Sequence, residues 1–397
     1  MRGVGQNQIS LIETREELES LARPWRELAA RADATPFLWY EWHAAWLTTM
    51  GAQSGSRPFI VVVREGERLL AVMPLALRRT RHLRLLEWSA ANVTDYCDAL
   101  VDPGVDTRST VAAMWQFIKA RGGFDIVRLS NLRADASTAG LLDSSIAGPA
   151  EVNHYSLPIT WNKSSAWLKS LSSKARQDIG RRMRRLSDSD VKFRICAAID
   201  PWEPTLEALI EQKKAVSKDK GYKTFIDKPG AADFLRAVTK VLHERRVLQL
   251  SALRNRKSAV ACHMGFSWRG VFYSYLTSYN PSQPGHSPGQ TLLAQVVMWC
   301  CDNKMREIDF LTGGDDYKLH LGCKSQALKS VLSAKTLLGE AALVAYNLKR
   351  SHRKILRRPA RSKNDIEVAG APKLGEVTNV AATTWISLSA MIRALTP

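Results

Sequence analysis

The stretch Val271–Gly322 reads VFYSYLTSYNPSQPGHSPGQTLLAQVVMWCCDNKMREIDFLTGGDDYKLHLG, and its order of elements decides the fold. Val271–Tyr279 carries tyrosines at 273, 275 and 279 and reads as a strand. A Gly/Pro/Ser loop follows. Then comes a helix with Leu293, Val297 and Cys300/Cys301 on one stripe, as a core-facing helix needs. Ser287-Pro288-Gly289-Gln290 reads as the helix start, with Ser287 as cap, Pro288 at the first helical position and Gln290 completing a capping box. A short strand, Ile308–Leu311, leads into Gly313-Gly314-Asp315-Asp316-Tyr317-Lys318. Strand, glycine-bearing loop and helix present backbone N–H groups at a helix N-terminus, the arrangement that holds a phosphate. Pro288 has no N–H, so anion binding falls to Gly289, Gln290 and Thr291. The same residues also make a well-capped helix without any ligand.

Outward from this stretch, the chain reads as two units. In the first, a strand near Ile9–Ile12 precedes a helix Arg15–Arg31 and a tryptophan-rich helix Trp39–Met50. Strands Arg57–Val63 and Leu69–Leu77 form a hairpin across Glu65-Gly66-Glu67. Strand Leu83–Trp88, the extended Ala99–Val101, helix 108–121 and strand Ile126–Leu129 follow, closing near residue 155. The second unit opens near Trp161, with helix Ser172–Leu186, strand Val191–Ala197 and helices Thr205–Lys218 and Ala231–Arg245. A meander of Leu248–Arg254, Ser258–Trp268 and Val271–Tyr279 leads into the quoted stretch, and Leu328–Ala334 reads as its last strand. Beyond it, Thr336–Arg358 reads as a helix ending in LKRSHRKILRR. Arg361–Val380 is polar, and Thr383–Leu395 reads as a short helix. The expected divisions are 1–155, 156–340 and 341–397.

The 397 residues, 45% hydrophobic, suit two domains, and the net charge of +19 calls for anionic partners. The six cysteines show no CxxC pair and no Cys/His zinc spacing, which excludes a metal role and points to a reducing compartment. The N-terminal MRGVGQNQISLIET lacks an apolar signal core, and no run approaches the roughly 18 apolar residues that span a bilayer. The expectation is a cytoplasmic protein. The basic helices Ser172–Leu186 and Lys349–Arg358 add peripheral contact with an anionic inner membrane.

The order helix, helix, meander, loop, helix, strand resembles the GNAT acyltransferase fold. In detail it is similar to the FemABX-like and CelD-like acetyltransferases of bacterial cell-surface polymers. The likeness runs over about Trp161–Ala334 and loosely over the N-terminal third. It rests on the Ser-Pro-Gly helix start, the following Leu-Leu, and the Asp-Phe-Leu…Gly…Tyr-Lys tail. His286, Gly289 and Thr291 occupy the places of the pyrophosphate motif, and only the glycine matches it strictly. The resemblance implies a mixed α/β fold of the α+β type. It would comprise two tandem GNAT-like domains, each a mostly antiparallel sheet flanked by helices, the first with a degenerate cofactor loop, plus a basic tail. It implies acetyl-CoA or another acyl-CoA as co-substrate.

Under that resemblance, the strand before the loop polarises the thioester through a backbone N–H near Thr277, Ser278 or Tyr279. Ser287, Gly289, Gln290, Thr291 and His286 hold the phosphates, and Lys318 pairs with a phosphate or an acidic acceptor. Tyr317 protonates the leaving thiolate or is a half-buried aromatic beside a turn. Asp309 lies between Ile308 and Phe310 and so points away from them. It fits a general base, an orienter of one, or a cap on the Gly313-Gly314 turn. His263 alternates away from Val260, Cys262, Met264 and Phe266, and histidine suits a base near neutrality. Asp95, Tyr96 and Asp98 resemble an Asp-Tyr-x-Asp segment of the family. They would bind acceptor hydroxyls if the halves share a cleft, or simply form an Asx-rich turn. Arg181 and Arg185 sit on an amphipathic basic helix that would meet an acidic acceptor, or be a solvated face.

These readings converge on an acyl-CoA-dependent transferase acting on a carbohydrate or envelope-precursor acceptor by direct attack on the thioester. A FemABX-like aminoacyltransferase using charged tRNA and a non-catalytic nucleic-acid-binding protein are the alternatives. The last lacks any RRM, zinc-finger or clear helix-turn-helix signature.

Overall fold

The computed structural model describes residues 7–140, 147–148, 152–196, 201–282, 287–313 and 316–356. The first half holds β1 (Gln8–Ile12), α1 (Arg15–Ser20), α2 (Ala22–Arg31), α3 (Tyr40–Trp46), β2 (Ser56–Glu65), β3 (Arg68–Arg79), β4 (Arg84–Trp88), β5 (Leu100–Val101), α4 (Thr107–Arg121), β6 (Ile126–Leu132) and β7 (Ala147–Gly148). The second holds β8 (Asn153–Pro158), α5 (Ser164–Ser170), α6 (Ser173–Asp188), β9 (Lys192–Ile195), α7 (Glu203–Lys220), α8 (Ala231–Glu244), β10 (Leu248–Arg254), β11 (Ala259–Trp268), β12 (Val271–Tyr279), α9 (Pro288–Asp302), β13 (Glu307–Thr312), α10 (Asp316–His320), β14 (Lys324–Ala327), β15 (Lys329–Ala334) and α11 (Leu337–Leu356).

Two mixed sheets result. One runs β1-β2-β3-β4-β6-β15-β7 with β5 beside β3, and the other runs β14-β8-β13-β12-β11-β10-β9. Each contains an antiparallel run that ends in one parallel pair. β4 pairs parallel with β6 across helix α4, and β12 pairs parallel with β13 across helix α9. A parallel neighbour needs such a crossover, because a hairpin can only return antiparallel. The fold is therefore the expected mixed α/β one, built from two mixed, mostly antiparallel sheets flanked by helices.

The sheets do not respect the expected divisions. β8, across the 155/156 boundary, lies inside the second sheet between β14 and β13. β15, read as the last strand of the second unit, instead pairs with β6 of the first sheet, Val331 facing Leu129 and Ala334 facing Ile126. Alternating apolar residues mark a strand but not the sheet edge it joins. α11 follows β15 onto the first sheet, where Ala342 packs with Leu83, Leu85 and Ile126. The terminal residues from 357 onward, with the expected segments Arg361–Val380 and Thr383–Leu395, lie outside the described residues.

One core runs through both halves. Phe37 of the first half stacks edge-on against Phe266 at 5.4 Å, Trp42 against Phe234 at 5.4 Å, and Trp39 against Trp268 at 5.3 Å. Phe37, Phe266, Trp42, Phe234 and Trp39 are buried, and Trp268 is half-buried. Each contributes about 1.5–3 kcal/mol by removal from water, so the seam between the halves is a core rather than a contact surface.

Candidate active site

The site begins where β12 and β13 part. Their parallel register runs from Val271↔Glu307 to Tyr273↔Asp309 and then ends. Both strands bulge just past that point. β12 inserts Tyr275 opposite the Met264/Gly265 step, and β13 shifts register against β8 between Asp309 and Thr312. Bulges bend their strands, so the two edges diverge into a V. Gly265 is required there, since a Cβ would meet the Tyr273 carbonyl oxygen at 2.7 Å. On β13, Leu311 takes a φ of 57° while its N–H is caught by Asp309 Oδ1 at 2.8 Å, which fixes the kink.

A cleft of about 600 Å³ fills the V. Its walls are Ser274–Thr277 and Tyr279 from β12, Phe310, Thr312 and Gly313 from β13, and the start of α9. Lys213, Lys220 and Lys318 line it among the described residues, a basic lining that suits an anion. The β12 edge offers donors. Asn280 N–H bonds Val260 O on the β11 side, whereas Thr277 O turns away and accepts from Lys213 Nζ at 3.0 Å. Strand alternation then points the N–H groups of Thr277 and Tyr279 into the V. Lys220 lies over the Tyr279 ring at 5.8 Å.

The helix start differs from the expected capping box. Ser287 sits in the left-handed region at φ 51° and its side chain caps nothing. Gln290 Oε1 accepts from Arg182 of α6 at 2.7 Å. The Thr291 N–H and hydroxyl both bond Ser287 O, and Thr291 is buried, so it is not part of the cleft wall. The donors left at the N-terminus are the Gly289 and Gln290 N–H groups. Gly289 lies against β12, its Cβ position 3.8 Å from both Thr277 Cγ2 and Tyr279 Cδ1. His286 lies outside the described residues.

Of the other expected residues, Tyr317 lines the cleft half-buried. Lys318 lines it too, but its ammonium donates to the carbonyls of Phe310, Thr312 and Gly313 at 3.0, 2.9 and 3.2 Å. It thus clasps the end of β13. Ser278 bonds Gln212 behind the strand. His263 does not line the cleft. Both faces of β11 are buried, so alternation away from one apolar face leads into another, against Phe272. Burial pushes its pKa down to about 3, and its Nε2 meets Ser274 Oγ at 2.9 Å.

The first-half loop does reach β13, but behind the V. Tyr96 donates to both oxygens of Asp309 at 2.7 and 2.8 Å and meets His154 Nδ1 at 3.0 Å. Asp95 accepts from the N–H of Thr312 at 3.0 Å and from its hydroxyl. Burial raises the pKa of Asp309 to about 6 and raises that of Asp95. Asp98 instead staples its own half, accepting Ser137 N–H at 2.7 Å and the Thr138 N–H and hydroxyl at 3.0 and 2.8 Å. On α6, Arg181 pairs with Asp178 and Arg185 is exposed, while Arg182 touches the site. Lys213 and Lys220 were not foreseen, because nothing but position on a helix distinguishes them from surface lysines.

Residues 173–319 match the model of the acetyltransferase (GNAT) domain family. No curated protein matches the chain. Among solved structures, L-PGS from Bacillus licheniformis aligns with a TM-score of 0.52 at 11% identity, covering 85% of this chain and 97% of that one. FemX aligns with a TM-score of 0.51 at 10% identity, covering 81% and 96%. The C-terminal domain of a putative lysylphosphatidylglycerol synthetase from Agrobacterium fabrum gives 0.51 at 10%, covering 83% and 97%. At these identities the neighbours show the fold alone. The splayed parallel pair and the helix start beside it lie within the matched residues, so the cleft belongs to the part of the chain that is similar to the acetyltransferase (GNAT) domain family.

Proposed function

We propose that the protein transfers an acyl group, most simply acetyl, from coenzyme A to an acceptor in bacterial surface-polysaccharide or envelope synthesis. The observation that carries the donor is the V-shaped cleft. It combines strand N–H groups, the N–H groups of a helix N-terminus, and lysines on its walls. Thr277 or Tyr279 N–H would bond the thioester carbonyl and stabilise the oxyanion of direct attack. Gly289 and Gln290 would face the pyrophosphate, with Lys213 and Lys220 as counter-charges. Tyr317, on the same wall, would return a proton to the departing thiolate. The envelope role rests on the resemblance to the FemABX-like and CelD-like families. It carries with it an acceptor met in the cytoplasm or at the inner membrane face. Native mass spectrometry of the purified protein should recover a bound acyl-CoA and fix its acyl chain.

A second reading is aminoacyl transfer from a charged tRNA. The fold of FemX and of a lysylphosphatidylglycerol synthetase suits it, as do the exposed Arg176, Arg181, Arg184 and Arg185 on α6. Titration with tRNA beside acetyl-CoA separates the two.

A further inference from the structure

α11 is apolar on two faces. Its inner face is small and seats the helix on the first sheet. Ala342 and Ala345 are buried, and a Cβ at Gly339 would meet the Asp125 carbonyl oxygen at 2.2 Å. Its outer face carries Leu337 at 84% exposure, Leu338 at 46%, Val344 at 59% and Leu348 at 67%. Among the described residues only three other large hydrophobics are exposed, Val152, Tyr222 and Leu319, so this helix concentrates the apolar surface of the molecule. Leu337, Ala341, Val344 and Leu348 are spaced four, three and four residues apart, which places them on one stripe of an α-helix. Glu340 is the helix's sole acidic residue. The sequence then enters a run from Lys349 to Lys363 with eight Lys/Arg and no Asp/Glu.

We propose that the outer stripe of α11 and the basic run after it form a docking surface for an anionic lipid bilayer. An apolar stripe inserts at the boundary of headgroups and acyl chains, while adjacent Lys and Arg are drawn to the negative surface. Charge argues against a second copy as the occupant. Pairing two such faces would bring two basic runs together on chains that each carry +19. No helix of the described chain is long and apolar enough to cross a membrane, so contact would be along the surface. This inference deepens the membrane contact named above and does not depend on the acyl donor.

The test is co-sedimentation of the full chain with vesicles. One set is phosphatidylglycerol and phosphatidylcholine at about 3:7, the other phosphatidylcholine alone, each at low and high salt. The protein should bind the anionic vesicles at low salt and release at high salt, because exposed charges are screened. Val344→Asp with Leu348→Asp should lower the bound fraction at least tenfold. Both side chains are outward, so the melting temperature and acetyl-CoA affinity should stay as in the parent. Equal vesicle binding by a folded double variant overturns the proposal. So does failure of the parent chain to bind, or light scattering that shows a dimer abolished by the same substitutions.

Discussion

Asp309 of the second half accepts hydrogen bonds from Tyr96 of the first, in a buried seam. A carboxyl held near 6 by burial is protonated in the native state where an unfolded aspartate, near 3.9, has already ionised. Between those values the native state binds more protons, so this group's contribution to stability is present below about pH 4 and is lost as pH rises through about 6. A shift of this size corresponds to on the order of 3 kcal/mol. Asp309→Asn removes that dependence. Urea unfolding at pH 4.5 and 7 should show the parent losing stability relative to the variant as pH rises, and parallel profiles would refute the assignment. Tyr317 faces the cleft rather than the seam. Tyr317→Phe keeps the ring and deletes the proton, so acyl-CoA affinity should hold while kcat falls roughly 100-fold, the usual size of general acid help. Unchanged kcat with chemistry rate-limiting would make the tyrosine structural.

The elements most readable in sequence are those with strong local grammar. Strand Val271–Tyr279, helix Ala231–Glu244 and the hairpin around Gly66 all appear where pattern and turn residues place them. β14 escaped because its four residues, Lys324–Ala327, are all exposed and carry no alternation. α10 escaped because it is one short turn of helix after a glycine pair. The V itself was legible only as an order of elements. The bulges that open it depend on Gly265 and Leu311, which no periodicity marks. The partner of β15 was likewise invisible, and it leads to an expectation. Ending the chain after Leu328 removes a strand and helix of the first sheet, exposing the β6 edge. Hydrogen exchange at Ile126–Leu129 should accelerate, although the deletion lies far away in sequence. Unaltered protection there would contradict the observed pairing.

Across the whole molecule, the halves are joined by exchanged strands and a shared aromatic core. A fragment of residues 156–340 would lack Phe37 and Trp42, break into β8 and carry β15 without its sheet. It should be insoluble or inactive, and full activity from it would refute the shared architecture. What the joined halves hold in place is the cleft between β12 and β13, the proposed seat of acyl-CoA. Isothermal titration of acetyl-CoA into the full chain tests it most directly, with Gly289→Val as the control. The new Cβ would meet Thr277 and Tyr279 at 3.8 Å, an ordinary van der Waals contact, and the backbone is not left-handed, so the variant should fold as the parent does. Its extra methyl groups would crowd the wall between Thr277 and Tyr279. One acetyl-CoA should bind per parent chain, and Gly289→Val should bind at least tenfold more weakly, a loss of about 1.4 kcal/mol. No binding by the parent, or equal binding by a folded Gly289→Val, would contradict that assignment of the cleft.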